Sequence, residues 1–481
     1  MESAGTVQRA WGEFHRGAFR AAERMLSELP ENVESVRLRL WVALRLGDTG
    51  SKLRHGAWLA EHGGAELSAV GRAHENVARA ALGMTPSPWI AAPSSWSSSE
   101  VAYANALIAF MQGRKNDVRI ELAKAAARTA EQRVRRAQLR AWAEALTEDL
   151  ERQATYLLHA LSRAIIEEVD RGLVAIIAGS LALLVREMEL GDLASRAEEL
   201  LEAVEWPEDE TIYRFYAQRA LAWRKSLRGD WIPAMEALDS TLAIAPDPMR
   251  RALVFCDRAR ISYAVGERVG AASARLNAFA AFDDIDWAEA QNDEAMGVFG
   301  AMDVLGVDPH RAKMLFDRAS SISVSKMTGG GHGCRLQAFK AFALSALTDG
   351  EEAIEHAHDA YKLFKSLKYA HRAAHCALRA VELGGGARWR DRVERLVAPY
   401  PRSLTARAFE HFNSPIQRIR GRKREVVDLL LPGNKTAREI GSILGIAEST
   451  VRVHIKQINR LLNVENRSQL IRLFLDRGSA A

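Results

Sequence analysis

Residues 228 to 246 read RGDWIPAMEALDSTLAIAP, and the spacing inside this stretch decides the fold of most of the chain. Gly229 ends one helix, Ala234 follows five residues later where the next helix crosses its neighbour closely, and Pro246 closes the unit. The same logic returns in weaker form elsewhere: Gly17 is followed by Ala22, Gly113 by Val118 and Ala125, and Gly266 by Ala271 and Ala278. A helix, a tight turn and a second helix repeating at about 34 residues is the pattern of a stacked helical array. The other breaks fit it, since Leu29-Pro30-Glu31, Gly47-Asp48, Gly63-Gly64, Gly191-Asp192 and Gly229-Asp230 are all short. From residue 1 to about 400 the chain is rich in Ala, Leu, Arg and Glu, with apolar residues three and four apart and few alternating β-branched runs, so the expected class is all-α.

The 228–246 unit resembles the tetratricopeptide repeat, which implies a solenoid with a concave binding face; the alternative is an irregular helical array with the same packing. Two stretches read as loops: SSWSSSE around Trp96, and TGGGHG from Thr328 to Gly333. A glycine cluster can cradle phosphate, but the pattern GxxxxGK[ST] is absent from the sequence.

With 48% hydrophobic and 26% charged residues the chain can bury a large core. Its three cysteines, Cys256, Cys334 and Cys376, are far apart and not at metal-ligand spacing, which points to a reduced, intracellular protein with no metal and no cofactor. The N-terminus lacks the apolar core of a secretory leader, so a cytoplasmic chain without membrane contact is expected. The longest apolar run, Leu173 to Val185, is too short to span roughly 30 Å of hydrocarbon and reads as a buried helix. The net charge of +5 is unevenly placed: from Pro415 onward thirteen Lys and Arg face six Asp and Glu, giving that tail +7 and the other 414 residues −2. A compact basic unit on a near-neutral body is the electrostatic footprint of a nucleic-acid-binding module.

The tail, GRKREVVDLLLPGNKTAREIGSILGIAESTVRVHIKQINRLLNVENRSQLIRLFL, reads as four helices. The first runs through Arg424 to Leu431. The second is opened by a capping box from Thr436 to Glu439, Gly445 makes the turn, the third begins near Glu448, and the fourth follows Asn463. On the third helix Val451, Ile455, Ile458 and Leu462 share one side and point inward. Ser449, Val453, Lys456 and Arg460 share the other, with Arg452 on its flank. Guanidinium and ammonium groups suit guanine edges, a small apolar side chain suits the thymine methyl, and hydroxyls suit phosphate. The outward face is therefore a candidate for reading double-stranded DNA in the major groove.

The strings REVVDLL, REIGSILGI, ESTVRVHIKQI and NRSQLI together resemble the LuxR (GerE-like) helix-turn-helix family, over roughly the last 65 residues. The resemblance implies that Arg452, Val453 and Lys456 read bases, that phosphates are met near Thr436, Ser449 and Thr450, and that two such domains pair through the fourth helix. The apolar arc of that helix, with Leu470, Ile471 and Phe474, offers a pairing surface as well as a core face. Three departures concern stability more than DNA contact. The turn Pro432-Gly433-Asn434 is one residue longer than usual; Ala447 stands where a capping Ser is common, at a cost of about 1 kcal/mol; Asn463 replaces a Gly after the third helix, which the left-handed conformation tolerates. His454, beside the inward face, is expected to be packed and hydrogen-bonded rather than to read bases.

The expected organisation is a helical-repeat region over 1–400, a linker over 401–414 and a four-helix DNA-binding domain over 415–481. The functional expectation is a sequence-specific transcriptional regulator and homodimer whose array takes a small-molecule, peptide or protein ligand. The alternative is a helical-repeat scaffold for other proteins with secondary DNA binding. Receiver, acyl-homoserine-lactone and ATPase modules have no signature here, and neither a nucleophile elbow nor a metal-ligand cluster suggests an enzyme.

Overall fold

The computed structural model describes residues 2–46, 48–145, 150–186, 191–207, 212–285, 287, 292–325, 333–413, 419, 421–431 and 435–471. Every regular element among them is an α-helix. Consecutive helices pack on one another across short turns, as in Thr49–His62 with Gly64–Ala81, Ile212–Arg228 with Trp231–Ala243, and Pro248–Val265 with Arg268–Asp283. Of the six small residues picked out by the repeat spacing, Ala125 is half-buried beyond the end of the helix Lys115–Ala123, whereas the other five are buried where helices pack: Ala22, Val118, Ala234 and Ala278 are 0% exposed and Ala271 1%. A larger side chain there would hold the two helices apart. The apolar run forms the helix Arg171–Val185, buried along most of its length, with the Asp170 carboxylate accepting from Leu173 N at 3.0 Å to cap it. No described helix is long and apolar enough to cross a membrane. Burial also makes the thiols of Cys256 and Cys376 poor acids, pushing Cys256 up to about 12.

Two expectations need correction. SSWSSSE is not a breaker but the start of the helix Ser95–Met111. Ser94 and Ser97 form a reciprocal cap, and Ser97, Ser99 and Glu100 are buried, with Glu100 accepting from Gln132 at 2.9 Å and pairing with Arg135 at 2.9 Å. A serine-rich string reads as a loop from composition, yet serine is among the best residues to open a helix. The stretch taken as a linker, 401–414, contains the helix Leu404–Asn413. Ser403, Thr405, Ala406 and Phe409 are buried, and this closing helix packs on Ala370–Glu382 and Pro248–Val265. Just before it, Arg402 lies so close to the turn at Gly229 that a Cβ there would come within 2.5 Å of the arginine Cβ. The array therefore continues to Asn413. The glycine cluster Thr328–Gly333 falls almost entirely outside the described residues, Gly333 alone opening the next helix.

Candidate nucleic-acid interface

The tail builds a small core of its own from Ile419, Val426, Val427, Leu430, Ile440, Val451, Ile458 and Leu470. Its first helix is Arg422–Leu430 and its second Ala437–Leu444, opened by the expected capping box. Thr436 Oγ1 accepts from Glu439 N at 3.3 Å, and the Glu439 carboxylate accepts from Thr436 N at 2.6 Å and from the Thr436 hydroxyl at 2.9 Å. These bonds from Thr436 hold the Glu439 carboxyl below the ordinary carboxylate range. They also change the reading of Thr436: its one hydroxyl proton is already given to Glu439, so a phosphate contact through that proton requires the cap to open. The expected longer turn, 432–434, lies outside the described residues.

Gly445 follows the second helix with φ 66° and ψ 33°, a left-handed conformation that glycine adopts without strain. The turn then folds so tightly that a Cβ on Gly441 would lie 2.6 Å from the Ile446 carbonyl oxygen. Two glycines thus set the angle at which the third helix, Glu448–Leu462, leaves the domain. Val451 and Ile458 on that helix are 0% exposed, and Ile455 and Leu462 pack beside them. Asn463 ends it in the left-handed conformation, φ 52° and ψ 47°.

Turning those four side chains inward leaves Ser449, Thr450, Arg452, Val453, Lys456 and Arg460 exposed on the remaining surface. Arg452 does not project freely: its Nε and Nη2 donate to Glu448 Oε1 at 3.0 and 2.7 Å. An exposed pair of this kind is weak and can exchange for a base edge. Ala447, at the cap position, makes no side-chain hydrogen bond to the helix start, so the first-turn amides beside Ser449 and Thr450 have no cap side chain to bond them.

The sequence reading missed Gln457, which is exposed one helical turn after Val453. Its i+4 spacing from a residue already placed on the outward face was the available signal, and an amide there can hydrogen-bond an adenine edge. It also missed Ile443 on the second helix, 55% exposed. His454 is half-buried as expected, but its Nδ1 is buried without the hydrogen bond anticipated for it. Of the pairing residues, Leu470 belongs to the domain's own core at 1% exposure, because the start of the fourth helix is needed to close that core. This removes Leu470 from the candidate pairing surface. Ile471 is half-buried, and Phe474 lies outside the described residues.

Among curated proteins none matches the chain significantly. Among solved structures the crystal structure of the yeast Tom70 aligns with 88% of this chain and 98% of its own at 11% identity, with a TM-score of 0.26, too loose an agreement to argue from. The family described as bacterial regulatory proteins, luxR family (GerE), matches residues 421–474. That segment is the unit with the capped second helix, the glycine turn and the basic third helix. The all-α array of this protein therefore ends in a helix-turn-helix domain of the LuxR family.

Proposed function

We propose that the chain is a transcriptional regulator that binds promoter DNA sequence-specifically through the outward face of Glu448–Leu462, under the control of the helical array. The observation that carries this reading is the sorting of the third helix: its apolar side chains are used by the domain core, while Arg452, Val453, Lys456 and Arg460 are all exposed on the helix that the family places in the major groove. Arg452, Val453 and Lys456 would read bases, and Ser449, Thr450 and Arg460 would meet the backbone or neighbouring bases. Partners on this reading are double-stranded DNA and a second copy of the chain, paired through the fourth helix. The place of action is the cytoplasm, on the chromosome.

Mapping the genomic DNA bound by the full chain, followed by gel shifts on the recovered fragments, tests the proposal. Discrete sites are expected, with affinity falling as salt rises at a slope of about −0.9 per phosphate neutralised. Uniform binding to all sequences, or none at any salt, would overturn it.

A further inference from the structure

A cavity of about 360 Å³ lies in the C-terminal half of the array, where the helix Leu404–Asn413 packs against Pro248–Val265 and Ala370–Glu382. Its size is that of a site for a small organic molecule. Trp223, Met302, Phe342 and Leu378 provide apolar wall, while Tyr263 and Val307, 53% and 67% exposed, stand among its more open lining residues.

The charged lining is unbalanced. Among the described lining residues four arginines, Arg260, Arg275, Arg372 and Arg379, are set against two carboxylates, Asp303 and Glu382. Asp303 is used by Arg260, which donates to it at 2.7 and 2.6 Å and also to Asp257 at 2.7 Å. Glu382 sits 3.6 Å from Arg379. Half-buried Arg275 has no hydrogen bond or ion pair among the described residues. The guanidinium of Arg372, 2% exposed, lies 5.6 Å from the Trp223 ring centre and 5.1 Å from that of Phe339. Separately, the Trp223 indole N–H is buried with no acceptor. A buried donor without a partner is disfavoured unless an acceptor arrives, and half-buried Arg275 supplies a positive charge at the same cavity.

Leu404, Thr405 and Ala408, on one face of the closing helix, form part of the same wall. Only residues 414–421 separate the end of that helix from the first helix of the DNA-binding domain. Whatever fills the cavity touches the element that leads into the domain.

We propose that this cavity is the effector site of the chain, that it takes a small organic anion, a carboxylate carried on an aromatic or short aliphatic body, and that occupancy changes DNA affinity through the helix Leu404–Asn413. The carboxylate meets Arg275 and the neighbouring guanidiniums, which are well suited to bind it. The body lies against Trp223, Phe342 and Leu378. Control follows if the anion binds one position of the closing helix better than another. The effector role rests on the reading that residues 421–474 bind DNA; the anion site does not.

The test titrates the full chain with 3-phenylpropionate, indole-3-acetate and hexanoate by calorimetry, each beside its uncharged primary amide. At least one acid should bind about tenfold more tightly than its amide, the contribution of a charge-assisted contact. Arg275→Gln should abolish that preference, and Val307→Trp, a change at an exposed position of the lining, should weaken acid and amide together. Acids that bind no better than their amides, or a preference that survives Arg275→Gln, overturn the anion site. Gel shifts with and without the bound acid read the second half. A change in apparent DNA affinity is expected, and unchanged affinity with the acid bound overturns the effector role. Acid binding by a chain that retains no DNA leaves the anion site standing and sinks the DNA-binding reading instead.

Discussion

Arg45 and Asp170, 125 residues apart, meet in a two-pronged ion pair with Nε–Oδ1 at 2.8 Å and Nη2–Oδ2 at 2.6 Å, both side chains 6% exposed. Arg45 also donates to Glu131 at 2.7 Å, so one guanidinium ties the helix Val33–Leu46 to two later parts of the array. Because Asp170 caps the apolar helix Arg171–Val185, the pair fixes where that helix begins. Replacing Arg45 with Ala strands a buried carboxylate, and the expected loss is about 3–5 kcal/mol of stability. Urea unfolding followed by circular dichroism measures it. A loss below about 1 kcal/mol, the size of an exposed pair, would show that the bridge does not hold the array together.

Buried pairs of this kind also set how the array responds to acid. Burial alone would raise the Asp257 carboxyl, but Arg219, Arg186 and Arg260 around it outweigh burial and hold it at about 2, below its ordinary 3.8. Asp170 beside Arg45 is lowered in the same way. A carboxyl whose folded value is depressed adds stability that is complete above its unfolded value and disappears as pH falls toward the folded one. The array should therefore keep its stability from neutral pH down to about 4 and lose it steeply between about 4 and 2. Thermal unfolding across that range checks the sign, and stability that rises on acidification would contradict it.

How much of this was legible in the sequence divides along physical lines. Helix periodicity, the turns at Gly113, Gly229 and Gly266, the crossing alanines and the capping box at Thr436 depend on neighbours within a turn or two, and all are present in the structure. The Arg45–Asp170 bridge, the cavity beside Trp223 and the burial of Leu470 depend on residues brought together only by stacking. No local spacing encodes them. Composition misled at two places for one reason: SSWSSSE and residues 401–414 look polar or irregular, yet their polar residues are helix caps or buried partners. In the DNA-binding domain the outward face was legible because removing the four core positions from a helix leaves little choice. Gln457 was missed because an amide was not counted among the side chains that can read a base.

The start of the third helix offers a stabilising change. Ala447 has φ −64° and ψ 146°, the extended conformation of a capping residue, but no side-chain oxygen to accept from the first turn. Ala447→Ser should add about 1 kcal/mol to the stability of the DNA-binding domain. Hydrogen exchange at the amides of Ser449 and Thr450 in the full chain, the two that a capping hydroxyl at position 447 can reach, is the readout, with slower exchange expected in the variant. Unchanged exchange would mean that these amides are already satisfied in solution.

Arg452 and Lys456 carry the recognition prediction. Replacing either with Ala should weaken binding to the target site by about 1–3 kcal/mol and reduce discrimination among sequences. Half-buried Arg467, at the start of the fourth helix, should matter less to specificity. Glu448→Gln frees Arg452 from its present partner and removes a negative charge close to DNA, so affinity should rise, by a factor of about two to five. Parallel gel shifts on target and scrambled duplexes compare the variants. If Arg452→Ala and Arg467→Ala lose specific and non-specific binding in the same proportion, the third helix is not what reads the sequence.

A single domain of this size has room for only a few base contacts, which is too little sequence to pick out one site in a genome. On the proposed function, selectivity comes from two domains on two half-sites, paired through the fourth helix. Leu470 is already used inside the domain, so the proposed pairing rests on the other two residues assigned to it, half-buried Ile471, and Phe474, the latter outside the described residues. Phe474→Asp puts a charge at one of these two positions. The variant should retain weak, salt-sensitive binding to one half-site while losing cooperativity on two half-sites about 10 base pairs apart. Analytical ultracentrifugation of the full chain with a two-half-site duplex, beside a binding isotherm on the same DNA, separates the possibilities. A two-to-one complex that forms cooperatively with both wild type and variant would show that the copies pair elsewhere, with the array as the place to look.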